Sequence, residues 1–291
     1  MFRNSVIVAI VMCIVSCALS SGDKVSAQID EPRVEVEQVS FEVINPKGHT
    51  IRERFLPPHG FERLEVDSQS YSFYLRALPL KEHGELVQLF DGSEKQNNGV
   101  YEAVIDLPIG KRDLHQCADA VMRLRAEYLY STHKYEQIHF NLTNGFEVGY
   151  AKWKQGWRVK VIGNQTNWVK SASPSNTKET FWKYLEFIFT YAGTHSLSKE
   201  LEPVKLLDMQ IGDVFIQGGF PGHAICIIDM IVNLKTGEKM YMLAQSYMPA
   251  QELQVLKNPD SSEYSPWYKL VASDHVITPE WTFELTDLKT F

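Results

Sequence analysis

Two stretches of this 291-residue chain hold the side chains best suited to nucleophilic chemistry: DLHQCADAVMRLRAEYLY, residues 113–130, and IGDVFIQGGFPGHAICIIDM, residues 211–230. The first places Cys117 near the start of a helix, and the second places His223 at the opening of an apolar strand. A helix N-terminus and a neighbouring imidazole both favour the thiolate, which is the reactive form of cysteine. Cys117 is therefore the candidate nucleophile and His223 its base. The imidazole needs a third polar group to set its tautomer. Gln245, on the strand that returns after a turn around Gly237, is the first candidate, and Ser246, Tyr247 and Gln251 follow if the register shifts by a residue or two. The Cys117 backbone N–H, with the Gln116 side chain, would form an oxyanion hole. The resulting chemistry is thiolate attack assisted by a general base. The competing reading makes both residues structural, the cysteine packed in the core as a small hydrophobe.

The elements that must position these groups follow from spacing. Asp113 and Gln116 stand at capping-box separation, which predicts a helix from Asp113 with Leu114, Cys117, Val121, Leu124 and Tyr128 on one face. Residues 45–110 hold FLPPHGFERL, YSFYLRALPL and GVYEAVIDLPIG, punctuated by Pro and Gly and read as strands and loops. Residues 138–169 alternate apolar and polar side chains, as antiparallel strands do. This stretch carries Trp153, Trp157 and Trp168 beside Lys154, Arg158 and Lys170, and reads either as a half-solvated sheet or as a wall whose indoles stack on substrate sugar or peptide. A second helix, TFWKYLEFIFTYA, is expected between a cap formed by Asn176 and Glu179 and a stop at Gly193. Gly212 and Asp213 then make a turn before VFI, a Gly-rich loop and the strand HAICIIDMIV. MYMLAQSY returns beside that strand as a hairpin. Asp229 is either a satisfied structural carboxylate or a base, and the aromatic pieces SPWYKL and TPEWTF are expected to pack on the surface of the core. The fold class is α+β, an antiparallel sheet packed on the cysteine helix with an inserted strand-rich region and second helix at about residues 135–205.

The chain ends and composition bound the setting. Arg3 ahead of the apolar run of residues 6–15 reads as an export signal over residues 1–27. Ile14, Val15, Ser16 and Cys17 resemble a lipobox, which would make Cys17 a lipid anchor, whereas Val25, Ser26 and Ala27 resemble an ordinary signal-peptidase site. Residues 28–44 read as a charged tether and residues 45–291 as a single domain. The expected location is the periplasm or the outer membrane as a lipoprotein, with membrane contact only through Cys17. The formal charge of −7 is a poor match to nucleic acid. Beyond the signal, Cys117 and Cys226 are either a disulfide or two free thiols. No Walker loop, dinucleotide fingerprint, paired-His zinc helix or EF-hand loop is present, so no cofactor or metal is expected.

The order of a helix cysteine, Gly-Asp before an apolar strand, Gly-His opening the next strand and a polar residue on the one after resembles the NlpC-type and CHAP-type branches of the papain-like superfamily. That resemblance implies a papain-like core in which Cys117 attacks an amide, His223 is the base, Gln245 orients the ring, and Gly212 and Asp213 form the supporting turn. The runs QCADAVMRLRAEYLY, GDVFIQGGFPGHA and LAQSYMPAQE resemble a domain family of unknown function from exported proteins of Bacteroidetes, over residues 55–291. Two departures from the peptidase pattern stand out: no aspartate precedes the cysteine, and roughly eighty residues separate the helix from the Gly-Asp turn. The implied function is a cell-envelope thiol hydrolase acting on a peptidoglycan stem peptide or another envelope peptide. The alternative is an inactive binding or accessory module on the same scaffold.

Overall fold

Eleven consecutive residues, HAICIIDMIVN, form the strand around which the protein is organised, and nine of them are buried. Such a run of β-branched and apolar side chains without alternation marks a strand covered on both faces. The structure is a computed structural model that describes residues 42–291. The expected export signal, Cys17 and most of the tether lie outside the described residues. Among the described residues, no helix is long and apolar enough to cross a membrane.

The fold is α+β, with an antiparallel sheet and six helices among the described residues. In chain order the elements are α1 (Ile51–Arg54), β1 (Phe61–Arg63), α2 (Tyr71–Arg76), β2 (Tyr101–Val104), α3 (Cys117–Ser131), β3 (His139–Asn141), β4 (Glu147–Gly149) and α4 (Tyr150–Trp153). They continue with β5 (Trp157–Ile162), β6 (Gln165–Lys170), α5 (Lys178–Tyr191), α6 (Thr194–Glu200), β7 (Glu202–Pro203), β8 (Val214–Gln217), β9 (His223–Asn233) and β10 (Lys239–Gln245). The last are β11 (Gln254–Leu256), β12 (Trp267–Lys269), β13 (His275–Ile277), β14 (Thr282–Glu284) and β15 (Leu288–Thr290). The main sheet runs β2-β11-β10-β9-β8-β15-β7, with β1 paired to β9 and β12 paired to β10. β9 thus pairs along one edge with β8 at its start and β1 at its end, while β10 covers the other edge.

α3 lies against β9 and is also met by α5 and α6. This explains why its burial exceeds the expected stripe. Cys117, Val121, Leu124 and Tyr128 are buried, but so are Ala118, Asp119, Ala120, Met122, Arg123 and Leu129, because helices from the insertion cover the side away from the sheet. The insertion itself differs from an extension of the sheet. β3 pairs only with β4 and β5 only with β6, and residues 150–153, read as strand, form the short helix α4.

Several helix starts also differ from their expected positions, each because a side chain is used elsewhere. α3 begins at Cys117 rather than Asp113. The Asp113 Oδ1 accepts from the Ala250 N–H at 2.7 Å and from Gln116 Nε2 at 3.0 Å, while Asp119 Oδ2 accepts from the Gln116 N–H at 3.0 Å and caps the helix. α5 is capped by Thr177, whose Oγ1 accepts from the Thr180 N–H at 3.2 Å; Asn176 instead receives the Tyr150 and Tyr130 hydroxyls. Gly193 lies beyond the C-cap at Ala192 and opens α6. YSFYLR is the helix α2, started by Ser70 Oγ accepting from the Phe73 N–H at 3.1 Å. Asp229 is structural: fully buried, it pairs with Arg63 at 2.8 Å and with Arg76, joining β1 and α2 to β9.

Candidate active site

The histidine is placed by a close-packed loop. Residues 218–222 lie against α6 so tightly that a Cβ on Gly218 would stand 2.0 Å from Ser198 Oγ. β9 then opens at His223, which is buried among the rings of Tyr247, Trp281 and Phe283 at centroid distances of 4.9, 5.3 and 5.9 Å.

Gln245 reaches this imidazole through an irregularity in the sheet. β9 and β10 start from the Gly237 turn with Lys239 opposite Val232 and Met242 opposite Asp229, but Leu243 then faces Ile227, leaving Ile228 unpaired. Without this bulge Gln245 would fall opposite Cys226 and share its face, away from His223. With it, Gln245 falls opposite Ile225, on the face that His223 occupies two residues earlier.

A chain of polar contacts fixes the amide and then the ring. Gln245 Nε2 donates to Glu280 Oε2 at 2.6 Å, and Gln245 Oε1 lies 2.8 Å from His223 Nε2. A carboxylate accepts and does not donate, so the amide nitrogen must face Glu280 and the amide oxygen must face the ring. His223 Nε2 is then the protonated nitrogen, and the lone pair of the neutral ring sits on Nδ1. Glu280 is held in turn by Lys95, whose Nζ lies 2.7 Å from Glu280 Oε2 and 2.9 Å from Gln251 Oε1, and by Asn97 Nδ2 at 3.2 Å. Burial pushes the imidazole down to about 4, with Gln245 opposing and Lys95 reinforcing the shift, so the ring is neutral near pH 7.

Cys117 is the first residue of α3, and the backbone N–H of Ala224, the residue after His223, favours its thiolate. Cys117 is 7 % exposed. Its acidity runs opposite to the expectation for a helix start. Burial, and after it Asp119, push the thiol up to about 11, against the opposing pull of the Ala224 and Ala118 N–H groups. At rest, near pH 7, the Cys117 thiol and the His223 imidazole are therefore both neutral. Cys226 is likewise buried and raised to about 12, and both cysteines are free.

The other expected site residues divide by location. Gln116 lines a cleft of about 300 Å³ together with Cys117, and its amide is tied to Asp113. Ser246 does not meet the imidazole; its Oγ lies 2.8 Å from the His115 carbonyl oxygen and 2.7 Å from that of Gln251, fastening the loop before α3 to the end of β10. Asp213 Oδ2 accepts from the Gln210 N–H at 2.7 Å, as a turn residue should. Gln251 serves Lys95 and Gln254 rather than the ring. None of the three tryptophans lines the cleft. Trp153 is 4 % exposed and packs on Tyr184, while the ring centroids of Trp157 and Trp168 each lie 4.9 Å from the Lys152 ammonium.

Sequence reasoning missed Lys95, Glu280 and His115. Glu280 and Trp281 belong to TPEWTF, expected on the surface but packed here on His223. A carboxylate inside an aromatic, Pro-bounded segment was the available signal. His115 is buried, with Nδ1 3.3 Å from the Gln251 carbonyl oxygen and Nε2 3.4 Å from Arg123 Nη1. Among the described residues, no group of three His, Cys, Asp or Glu side chains is arranged to hold a metal ion.

Residues 51–290 match the family described as domain of unknown function (4846), and the chain belongs to that family. No curated protein and no solved structure matches the chain.

Proposed function

We propose that this protein is an exported thiol hydrolase of the cell envelope, with a papain-like core of NlpC or CHAP type, acting on an amide bond of a peptidoglycan stem peptide or another envelope peptide. The observation that carries this reading is the oriented imidazole. Gln245 fixes the protonated Nε2 of His223, and the backbone N–H of Ala224, the next residue of the same strand, favours the Cys117 thiolate. A general base needs a partner that fixes its tautomer and orientation, and Gln245, itself held by Glu280 and Lys95, supplies one.

Because both partners are neutral at rest, attack is base-assisted. The Cys117 S–H proton passes to His223 Nδ1 as the sulfur bonds to the substrate carbonyl carbon, giving a tetrahedral oxyanion at the start of α3. Collapse breaks the C–N bond, and the imidazolium gives its proton to the leaving amine. Water then adds to the thioester, losing a proton to His223, and the thiol leaves with that proton restored. Gln245 accepts the Nε2–H throughout and stabilises the imidazolium in between.

Labelling with an electrophilic probe tests this reading. Wild-type protein and Cys226→Ala are expected to react near pH 7, and Cys117→Ala and His223→Ala are not. A second reading, an inactive binding or accessory module on the same scaffold, is favoured by the burial and high pKa of the Cys117 thiol. Labelling of wild-type protein no faster than that of His223→Ala would support that module and sink the hydrolase.

A further inference from the structure

The cleft beside Cys117 is chemically one-sided. Its walls are Leu114 before α3, Phe189 on α5, Phe220 and Pro221 in the loop before β9, and Met248 after β10. Phe220 is fully exposed and Met248 is 56 % exposed, so two large apolar groups stand in water at a cleft whose lining includes Cys117. No Lys, Arg or His lines it, and its only carboxyl groups are those of Asp113 and Asp119. Asp113 already accepts two hydrogen bonds, and Asp119 is buried beneath the helix cap with one oxygen, Oδ1, unpartnered.

Resting on the hydrolase reading above, we infer that this cleft selects a substrate whose residue next to the scissile amide carries a neutral, apolar side chain, and rejects an acidic one. An apolar side chain would cover Phe220 and Met248 and release the water on them. A carboxylate would be stripped of water against Phe189 and Met248, find no cation, and face the Asp113 charge. A lysine would gain only the solvent-screened Asp113 at the rim, whose oxygen is already shared. The volume of about 300 Å³ suits a short segment and no more.

Three peptidyl vinyl sulfones of equal length, carrying Leu, Glu or Lys beside the warhead, test the inference on the full chain, with iodoacetamide as an unselective reference. The Leu probe should label Cys117 at least ~10-fold faster than the Glu probe and faster than the Lys probe, the advantage of roughly one buried contact. In Phe220→Ser and in Met248→Ser, the Leu rate relative to the iodoacetamide rate of the same variant should fall several-fold. Equal rates for the three probes, a faster Glu or Lys probe, or iodoacetamide labelling with no response to any peptide would overturn the specificity while leaving the thiol's reactivity standing. Failure of every reagent at Cys117 in folded protein would instead remove the hydrolase reading, and the specificity with it.

Discussion

Gln245 presents its amide oxygen to His223 Nε2 at 2.8 Å because its amide nitrogen is committed to Glu280 at 2.6 Å. The tautomer of the imidazole is thus set from two residues away. Glu280→Gln removes the charge that dictates the amide's direction and leaves Lys95 without its anion. Cys117 labelling should then fall by roughly 10-fold, and in Gln245→Ala by up to ~10²-fold, within the range of a general base's contribution. The pH profile should move as well as the rate. An unchanged profile in both variants would reduce the relay to packing.

The Cys117 thiol is raised to about 11, with burial the first cause and Asp119 the second. Reaction with a small alkylating agent should therefore keep rising with pH through 8 and 9 rather than level off near neutrality. Asp119→Asn preserves an oxygen for the Gln116 N–H and removes a carboxyl that burial already holds well above the usual carboxylate range, so the thiol's pKa should fall. A plateau near pH 7 in the wild type would contradict the burial of this sulfur.

His223 and His115 are held near 4 and 3 by burial, against an ordinary value of 6.5. Above pH 6.5 both rings are neutral, folded or unfolded. Below it the unfolded chain gains protons that the native state refuses, so stability falls with pH until the native rings also protonate, near 4 and 3. From the values of about 4 and about 3, each ring accounts for a loss on the order of 3–5 kcal/mol. Urea unfolding between pH 7 and 4 should show the decline, with a shallower slope in His223→Gln. The same slope in that variant would argue against a buried neutral ring.

Asp229 is fully buried between Arg63 and Arg76. Asp229→Ala leaves two guanidinium groups facing each other without their anion and should cost about 3–5 kcal/mol of stability. Any protein that remains folded should keep its Cys117 labelling rate, because the pair of arginines belongs to the far half of β9. A large loss of labelling in folded protein would place Asp229 in the chemistry instead.

Gly212 has φ of +102°, and a Cβ there would stand 2.7 Å from the Tyr71 ring. Gly212→Ala should therefore lower stability by roughly 1–3 kcal/mol. Thermal unfolding of the variant measures this directly, and an unchanged midpoint would show that the turn can relax.

The sequence by itself determined the elements with strong local signals. The unbroken apolar run after His223, the hairpin around Gly237, the helices bearing Cys117 and Phe181, and the glycine turn at Gly212 were all legible from periodicity and turn chemistry. So was Gln245 as the residue to test beside the imidazole. Helix starts were less legible, because Asp113 and Asn176 have the right chemistry to cap but are taken by distant partners, Ala250 and Tyr150. Only the tertiary structure decided three further matters. The unpaired Ile228 turns Gln245 toward His223, and no spacing rule announces a bulge. Lys95 and Glu280 meet across 185 residues, a separation at which local pattern carries no information. The depth at which α3 lies beneath α5 and α6 reversed the expected acidity of Cys117, because desolvation is a property of what surrounds a side chain and the helix-terminus effect only of what adjoins it.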